Sequence, residues 1–468
     1  MINVLTMLTT GTVALCILMA PKAVTAIDSK RIEVVVGNAT QGFNILAEDY
    51  TKFSLLDVLS LEWQYFMVHA EPAFTGIVAV LLSDPRRRIP LLTPTGGNAV
   101  IAGKFGTGDC DNEGTYCVAE YVNTGKNTEA TAYPEMLYFQ GSKTANNLKN
   151  DFSMSVVEKD KILFTGLTQN AAWDLLIELD WKDREPFPPV TGRDLGTIPS
   201  EFWTVNMLWP RTTISGTMVN KQTGTTYELG DGLGEVKAHG YRENSFGRWL
   251  FALDGWDFAI FSSQESQVQV AWQSYHKGKD LDFVDVSFPE KDGSIKTLKF
   301  LSKDGEAGWF HNDWYFNKEA RQCVPTDGVL EAANTDYYLH AEIDIGKSQV
   351  PILSNASPIT TLYVIMEWMP MMHGTIYRQK TGEVVASFSG VAGGEISYLR
   401  SILKNQSQRK CIQWGKPTFM SPLKVPISVP GVNRNQCAQL NSGRWLRDMF
   451  KCIGRKDCRW AMLRKRCF

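Results

Sequence analysis

The chain has 468 residues, a formal net charge of −2 at pH 7, 44% hydrophobic residues and 21% charged residues. This length is enough for two or three domains, and this balance excludes wholesale disorder. The near-neutral charge and the lack of any nucleic-acid-binding motif exclude nucleic acid as an expected partner. The 14 Trp and 23 Phe residues suit β-sheets and also suit pockets for flat apolar ligands.

The N-terminal segment is typical of a secretory signal peptide. Residues 4–20 are apolar and uncharged, and Val24-Thr25-Ala26 has the small residues of a cleavage site. We therefore predict a signal peptide over residues 1–26 and a mature protein that is secreted or held in the endomembrane lumen. A retained membrane anchor is the alternative, because the usual basic residues before the apolar run are missing. We expect no stable membrane insertion after cleavage, since no later stretch could span a bilayer.

The cysteine count agrees with a secreted protein. Nine cysteines are present, and loss of Cys16 with the signal peptide leaves eight, an even number that predicts disulfide bonds. A zinc site is the rival interpretation, but neither a CxxC pair nor clustered His accompanies the cysteines, so we expect no metal. Sequons at Asn38, Asn355 and Asn405 predict glycosylation. The candidate disulfide cysteines are Cys110 and Cys117, which could form a local bridge, with Cys323, Cys411, Cys437, Cys452, Cys458 and Cys467.

Short apolar runs bounded by Gly, Asn or Asp recur along the chain and predict β-strands. In the clearest run, Trp173, Leu175 and Ile177 share one face while Asp174 and Glu178 lie on the other, as in a half-buried strand. Helical periodicity is scarce, and its best cases are residues 54–67 and the C-terminal tail. Further strands are predicted at 31–37, 76–82, 115–121, 152–158, 161–166, 211–218, 248–253, 256–262, 267–275, 295–301, 336–345, 361–368 and 383–389.

This pattern predicts an all-β protein of two β-sandwich or barrel domains with a Cys-rich, partly helical C-terminal tail. The expected domains are residues 27–264 and 265–430, divided where polarity rises near residues 262–267, and a basic tail over residues 431–468. The tail could dock on the acidic body, lie on a membrane surface, or hold two protomers together as a homodimer. Internal docking is the favoured interpretation.

The eight residues GYRENSFG, Gly240 to Gly247, resemble a family signature that reads G-Y-H/M-D-H-N/Q-W-G. That signature belongs to lipocalin-like proteins that include the carotenoid hydratases (hydroxyneurosporene synthases), the AttH-like proteins and the fungal Diels–Alderases. Tyr241 matches directly, and Glu243 takes the place of the acidic residue. Arg242 stands where His is usual. The flanking residues 212–263 also resemble the family's strands.

The resemblance implies two lipocalin-like β-domains and a cofactor-independent cyclase. The signal peptide and cysteines are most similar to the secreted hetero-Diels–Alderases of tropolone-sesquiterpenoid pathways. The implied substrate is a hydrophobic polyene or terpenoid-polyketide intermediate of secondary metabolism, cyclised by a Diels–Alder or hetero-Diels–Alder step, with dehydration as an option. A non-catalytic carrier of a hydrophobic ligand and a secreted carbohydrate-binding β-protein are the alternative functions.

Such a cyclase needs a dry apolar cavity, a few hydrogen-bond donors and a base. Tyr241 and Arg242 are the predicted catalytic donors, and Glu243 is the predicted base. The alternatives are a core role for Tyr241 and a structural ion pair between Arg242 and Glu243. Those two residues are adjacent, so on a regular strand they would face opposite sides.

The predicted substrate-binding residues come from two aromatic segments. In residues 308–316, Trp309 and His311 are expected on one strand face and Trp314 on the other. A sheet packed on one side is the alternative for this segment, and a simple hydrogen-bonded histidine is the alternative for His239. The full predicted set is His239, Asn244, Trp249, Phe251, Trp309, His311 and Trp314.

Overall fold

The structure is a computed structural model in which most of the described residues lie in antiparallel β-strands. It describes residues 60–70, 74–83, 98–105, 116–123, 129–133, 136–142, 151–158, 161–167, 171–179, 190–193, 202–248, 255–263, 265–276, 282–311, 314–318, 322–346, 349–352, 363–399, 411, 423–430, 460–461 and 466–467. The all-β prediction is therefore confirmed. No helix in these segments has the length and apolar character needed to cross a bilayer.

The first sheet has 13 strands, in the order β4-β3-β2-β1-β13-β11-β9-β8-β7-β6-β5, with β10 and β12 both paired to β11. Its strands are β1 Ser60–Ala70, β2 Phe74–Ser83, β3 Asn98–Phe105, β4 Tyr116–Asn123, β5 Glu129–Tyr133, β6 Met136–Ser142, β7 Asp151–Glu158, β8 Lys161–Leu167, β9 Ala171–Leu179, β10 Val190–Arg193, β11 Phe202–Asn220, β12 Thr225–Leu229 and β13 Ala238–Arg248.

The second sheet has 11 strands, in the order β17-β16-β15-β14-β26-β25-β22-β21-β18, with β24 joining β26 to β23. Two hairpins, β19–β20 and β27–β28, stand apart from it. These strands are β14 Gly255–Ser262, β15 Gln269–His276, β16 Phe283–Pro289, β17 Ile295–Leu301, β18 Ala307–Phe310, β19 Trp314–Asn317, β20 Gln322–Pro325, β21 Asp327–Ala333, β22 Tyr337–Asp344, β23 Gln349–Ile352, β24 Tyr363–Trp368, β25 Met371–Arg378, β26 Val384–Leu399, β27 Trp460–Ala461 and β28 Arg466–Cys467.

The second sheet wraps around one apolar core, because side chains from strands far apart in its order touch inside it. The rings of Trp272 on β15 and Trp309 on β18 lie 5.6 Å apart, and within the core the ring of Phe261 on β14 also lies 4.8 Å from that of Phe388 on the neighbouring strand β26. Residues from β14 through β26 share this core. The opposite face of β14 and β15 carries Trp256, Phe258 and Gln273 and is turned toward the first sheet.

Alternation along β9 matches the sequence prediction. Trp173, Leu175 and Ile177 are buried, whereas Asp174 is exposed. The helix expected over residues 54–67 is wrong from residue 60 onward, because these residues form β1. Residues Tyr65–Ala70 are buried on both faces, so their apolar run lacks the alternation that separates a strand from a helix.

The predicted domain boundary and the predicted C-terminal tail can be compared with the structure only where residues are described. The change of sheet falls between β13 and β14, before the predicted domain boundary at 264/265, since β14 hydrogen-bonds to β15 and β26. In the predicted partly helical tail, the described residues form the β27–β28 hairpin. Outside the described residues lie the signal peptide, the three sequons, Cys110, Cys437, Cys452, Cys458 and most of the predicted strand at 248–253.

Gly240 of the signature is required by the close pairing of β13 with β1. It lies directly opposite Val68, and a Cβ atom built on it would approach the Met67 carbonyl oxygen to 1.9 Å. The backbone of β1 would have to move to admit any side chain here. The glycine therefore fixes the register that brings Tyr65 opposite Glu243.

A disulfide bond joins Cys323 on β20 to Cys411, across a sequence separation of 88 residues. We expect replacement of both cysteines by serine to lower the free energy of unfolding by about 2–5 kcal/mol, because a bond closing a long loop restricts the unfolded chain. Urea unfolding of the double variant measures the loss. Peptide mapping without reductant should recover the two cysteines in one linked fragment, and a different partner for Cys323 would contradict the pairing.

Candidate active site

The signature strand β13 places three polar side chains on one face. Tyr241, Glu243 and Ser245 alternate along the strand and are all buried, with Glu243 only 6% exposed. The Tyr241 hydroxyl donates a hydrogen bond of 2.9 Å to Glu243 Oε2, and the Ser245 hydroxyl donates to Glu243 Oε1. The carboxylate is thus held by two hydroxyl donors from its own strand.

A third donor to Glu243 comes from the second sheet. The side-chain amide of Gln273 on β15 donates to Glu243 Oε2, and the Tyr275 hydroxyl in turn donates to Gln273 Oε1. This chain of hydrogen bonds crosses from one sheet to the other. The Glu243 carboxylate therefore lies at the interface between the two sheets, away from bulk water.

Tyr65 completes the contact between the sheets. It is directly opposite Glu243 in the β1–β13 register, and its ring meets the Phe258 ring edge-on with centroids 5.2 Å apart. Its hydroxyl has no hydrogen-bond partner among the described residues, although the side chain is buried. Burial raises the pKa of Tyr65 well above its usual value, and the nearby carboxylates of Glu367, Glu395 and Glu243 raise it further.

The electrostatics of this interface favour protonated forms. Burial raises the pKa of Glu243 to about 6, while the hydrogen bonds from Ser245, Tyr241 and Gln273 restrain the rise. Burial and the adjacent Glu243 charge raise the pKa of Tyr241 well above its usual value. Near neutral pH, Glu243 is thus a carboxylate close to its titration point and Tyr241 is a neutral hydrogen-bond donor to it.

An ion pair borders the site on the second sheet. Lys299 Nζ lies 2.7 Å from Asp285 Oδ2 and 4.2 Å from the centroid of the Phe283 ring. Burial raises the pKa of Asp285 to about 6 and lowers the pKa of Lys299, and in both cases the partner charge opposes the shift. The Asp285 charge also raises the pKa of Glu243, so this pair belongs to the electrostatic surroundings of the site.

Arg242 faces away from the other two predicted catalytic residues. The β1–β13 register is unbroken here, so Arg242 projects from the opposite face of β13, and its guanidinium carbon lies 5.8 Å from the centroid of the Phe66 ring. No salt bridge to Glu243 forms. The structure therefore brings Tyr241 and Glu243 together and separates Arg242 from them.

His239 shares the face of Tyr241 and Glu243 and also contacts the second sheet. Its Nε2 atom lies 2.9 Å from the Ser262 carbonyl oxygen, and its ring stacks on that of His69 at 5.4 Å. These contacts make it a buried, hydrogen-bonded residue at the edge of the interface. The Asn244 side chain, Trp249 and Phe251 lie outside the described residues.

The second predicted aromatic segment lines the interior of the second sheet. Trp309, His311 and Trp314 are all buried there, and the His311 and Trp314 rings meet edge-on at 5.4 Å. The expectation that Trp314 would face away from His311 is wrong, because β18 ends at Phe310 and Trp314 begins the separate strand β19. These residues lie on the far side of β14 from Glu243.

His311 is held as a cation inside that core. Its Nε2 lies 2.7 Å from Asp257 Oδ2, and its Nδ1 lies 2.5 Å from the Asp327 carbonyl oxygen. Both ring nitrogens thus face oxygen atoms, which favours the form with a proton on each nitrogen, although burial also raises the pKa of Asp257. Burial alone would lower the pKa of His311, but Asp257 and the Asp327 carbonyl outweigh it, and the net pKa is raised.

Several site residues escaped the sequence analysis. Glu367 and Glu395 lie directly opposite each other on β24 and β26, and the Trp256 indole donates to Glu395 Oε1. Tyr65, Gln273 and Asp285 were also missed. A signal in the sequence could have identified the acidic residues of the site: each is a lone carboxylate inside an otherwise apolar strand segment, as for Asp257, Asp285, Glu367 and Glu395.

The described residues contain no cluster of three or more His, Cys, Asp or Glu that could hold a metal ion.

Comparisons with known proteins find similarity in structure only. No family model and no curated protein sequence matches the chain. Among solved structures, an AttH protein from Nitrosomonas europaea aligns over 71% of this chain and 92% of its own, with a TM-score of 0.41 and 9% identity. Kievitone hydratase from Nectria haematococca aligns over 74% and 92%, with a TM-score of 0.43 and 10% identity. CghA aligns over 73% and 88%, with a TM-score of 0.46 and 11% identity.

One of these proteins is an AttH protein, and the Gly240–Gly247 segment resembles the signature of the family that contains the AttH-like proteins. The chain is similar to them.

Replacing Glu243 by Gln should stabilise the protein above pH 6. A folded pKa of about 6 against a usual 4.5 means that the folded state binds the proton more tightly, so stability falls as pH rises through this window. A folded pKa of about 6 against 4.5 corresponds to about 2 kcal/mol at pH 8, which the neutral amide would recover. The amide oxygen can keep the bonds from Tyr241 and Gln273, while the Ser245 hydroxyl rotates to accept the new N–H.

Urea unfolding at pH 4.5 and pH 8 measures this difference. The matched control is Glu342→Gln on the exposed face of β22, which should change stability by less than about 0.5 kcal/mol at either pH. Equal stability of wild type and Glu243→Gln at pH 8 would show that the carboxylate is not buried as described.

Asp257→Asn should destabilise the protein by about 3–5 kcal/mol near pH 6, because it leaves the buried His311 cation without its counter-charge. The contribution of His311 is complete below the usual pKa of 6.5 and is lost as pH rises through its raised folded value. The penalty should therefore shrink toward pH 9. Urea unfolding over this range measures it, with Glu178→Gln, which breaks the half-exposed Lys161–Glu178 pair, as the near-neutral control. A penalty that does not change with pH would argue against a protonated His311.

Proposed function

We propose that the protein is a cofactor-independent enzyme that binds a hydrophobic, oxygen-bearing polyene or terpenoid-polyketide intermediate between its two sheets and promotes its cyclisation. The reaction would be of the Diels–Alder or hetero-Diels–Alder type, preceded by dehydration where the substrate carries a leaving hydroxyl. The observation that carries this proposal is the buried Glu243 carboxylate, held by Tyr241, Ser245 and Gln273 beside the unpartnered hydroxyl of Tyr65.

Each residue of the interface suits one part of that chemistry. Glu243, with a pKa of about 6, is ionised at neutral pH and close enough to titration to accept and return a proton. Tyr65 can donate its hydroxyl hydrogen to a carbonyl or hydroxyl oxygen of the substrate, which withdraws electron density from the reacting π-system. Trp256 and Phe258 supply aromatic surface on the second sheet.

In the proposed reaction, two residues have roles that differ from the predicted ones. Tyr241 already donates to Glu243, so its function is to hold the base, and the donor to the substrate is Tyr65 instead. Arg242 lies behind β13 against Phe66, where it supports the strand. Dry surroundings also serve the reaction, because a reactive cation or quinone methide would otherwise be captured by water.

The alternative of a sugar-binding protein fits the described residues less well. Sugar binding of the kind considered needs tryptophan faces at the surface. The tryptophans whose side chains are described, Trp173, Trp256, Trp272, Trp309, Trp314 and Trp368, are all buried. Secretion stays part of the proposal, and it is supported by the Cys323–Cys411 bond, which suits an oxidising compartment.

Turnover separates an enzyme from a carrier. Wild-type protein would be incubated with a panel of hydrophobic polyenes bearing a phenol, hydroxyl or carbonyl, and products would be separated by liquid chromatography and mass spectrometry as isomers or dehydrated isomers. Glu243→Gln should lower kcat by about 10²–10⁴-fold with little change in ligand affinity, because it removes the base and keeps the shape.

The control is Tyr377→Phe, which removes a hydroxyl on β25, a strand that does not contribute to the interface with β13. It should leave turnover unchanged. Tight binding of the polyenes without conversion by wild type would establish the carrier instead, and conversion that survives Glu243→Gln would remove Glu243 from the mechanism.

A further inference from the structure

Two carboxyl groups face each other on the second sheet without a cation between them. Glu367 on β24 and Glu395 on β26 are directly paired in an antiparallel register, and both are buried, at 0% and 4% exposure. No Lys, Arg or His in the described part of the chain forms an ion pair with either. Glu395 is fixed by the Trp256 indole, which donates to its Oε1 atom.

Two charges on such a pair are unfavourable in a dry interface. Like charges at short range repel strongly where the dielectric is low, so one proton is retained between the two groups. Burial raises the pKa of Glu367 well above its usual value, and the Glu395 charge and a hydrogen bond to it raise it further. Burial likewise raises the pKa of Glu395 to about 7, against the opposing hydrogen bonds from Glu367 and Trp256.

Buried polar atoms without a hydrogen-bond partner surround the pair in the described part of the chain. The Glu367 oxygens have no N–H or O–H donor among the described residues, and the Tyr65 and Ser397 hydroxyls likewise have no hydrogen-bond partner there. Ser397 lies two residues beyond Glu395 on the same strand face, opposite Trp256. Tyr65 lies opposite Glu243 and against Phe258, and the charges of Glu367, Glu395 and Glu243 all raise its pKa.

We propose that the Glu367–Glu395 pair is the proton donor of the active site and delivers its shared proton to an oxygen of the bound molecule beside Tyr65. This assignment rests on the proposed function and deepens it. It specifies a neutral, hydrophobic substrate with an oxygen atom that becomes protonated during the reaction.

The proton balance of the step is complete within the site. The O–H bond of the pair breaks, its electron pair stays on the carboxylate, and the proton bonds to the substrate oxygen. Where that oxygen leaves as water, the electron pair of the C–O bond leaves with it. Glu243 then takes a proton from a neighbouring C–H or O–H, whose electron pair forms the new π bond. Exchange with solvent after product release restores both groups.

The shared proton can be tested without any substrate. Infrared spectroscopy of the wild type near neutral pH should show the carbonyl band of a protonated, buried carboxyl that shifts in D₂O. Glu367→Gln should remove this band and Glu395→Gln should shift it, because burial alone keeps the pKa of Glu367 raised. Titration with p-nitrophenolate, a small phenolate dye, should bleach the phenolate absorbance on binding, since the pair protonates the bound oxygen. Both variants should bind the dye without bleaching it.

The matched control is Glu331→Gln. Glu331, on β21, is another buried carboxyl that accepts a hydrogen bond from a tyrosine hydroxyl, in this case that of Tyr338 on β22. It should keep the dye response. On a polyene that the wild type converts, either variant of the pair should lower kcat by about 10²–10⁴-fold, and the double variant should add little.

The outcomes separate this proposal from the function on which it rests. Absence of both the carboxyl band and the bleaching in wild type, or their unchanged survival in both variants, overturns the proton-donor assignment even if polyenes are cyclised. A wild type that bleaches the dye but converts no polyene retains the proton donor and refutes the cyclase.

Discussion

The burial of carboxyl groups between two β-sheets is the constraint on which the candidate site depends. A charged carboxylate removed from water is destabilising by several kcal/mol unless donors or a counter-charge surround it. Glu243 meets this requirement with three hydrogen bonds, one of which comes from Gln273 on the other sheet. The packing of the two sheets and the ionisation of Glu243 are therefore linked, and neither can change without the other.

Because side chains alternate along a strand, the two faces of each sheet carry residues with different roles. On β13, Tyr241 and Glu243 face the second sheet, whereas Arg242 packs behind the strand on Phe66. On β14, Trp256 and Phe258 face the first sheet, whereas Asp257 points into the apolar core and meets His311. Because each face has its own surroundings, residues adjacent in sequence serve the site or support it according to parity alone.

The sequence was informative about strands and local chemistry and uninformative about which strands meet. The all-β class and the half-buried face of β9 follow from alternation, and the adjacency of Arg242 and Glu243 already implied that they would face apart. Tyr65 could not be assigned, because both faces of β1 are buried and its pattern resembles a helix. Gln273 lies 30 residues from Glu243, and their contact depends on the packing of two sheets, which no periodicity encodes.

The buried carboxyls also show why burial alone does not reveal function. Asp257 has a lone position in an apolar strand, as Glu367 does, yet its partner His311 is saturated, with an acceptor at each ring nitrogen. That arrangement has a matched counter-charge, so it suits a structural lock. Glu367 instead faces a second carboxyl, and unpartnered hydroxyls lie beside it. Two carboxyl groups that share one proton hold a proton that can be transferred. The hydrogen-bond partners of each carboxyl therefore distinguish the structural Asp257–His311 pair from the reactive Glu367–Glu395 pair.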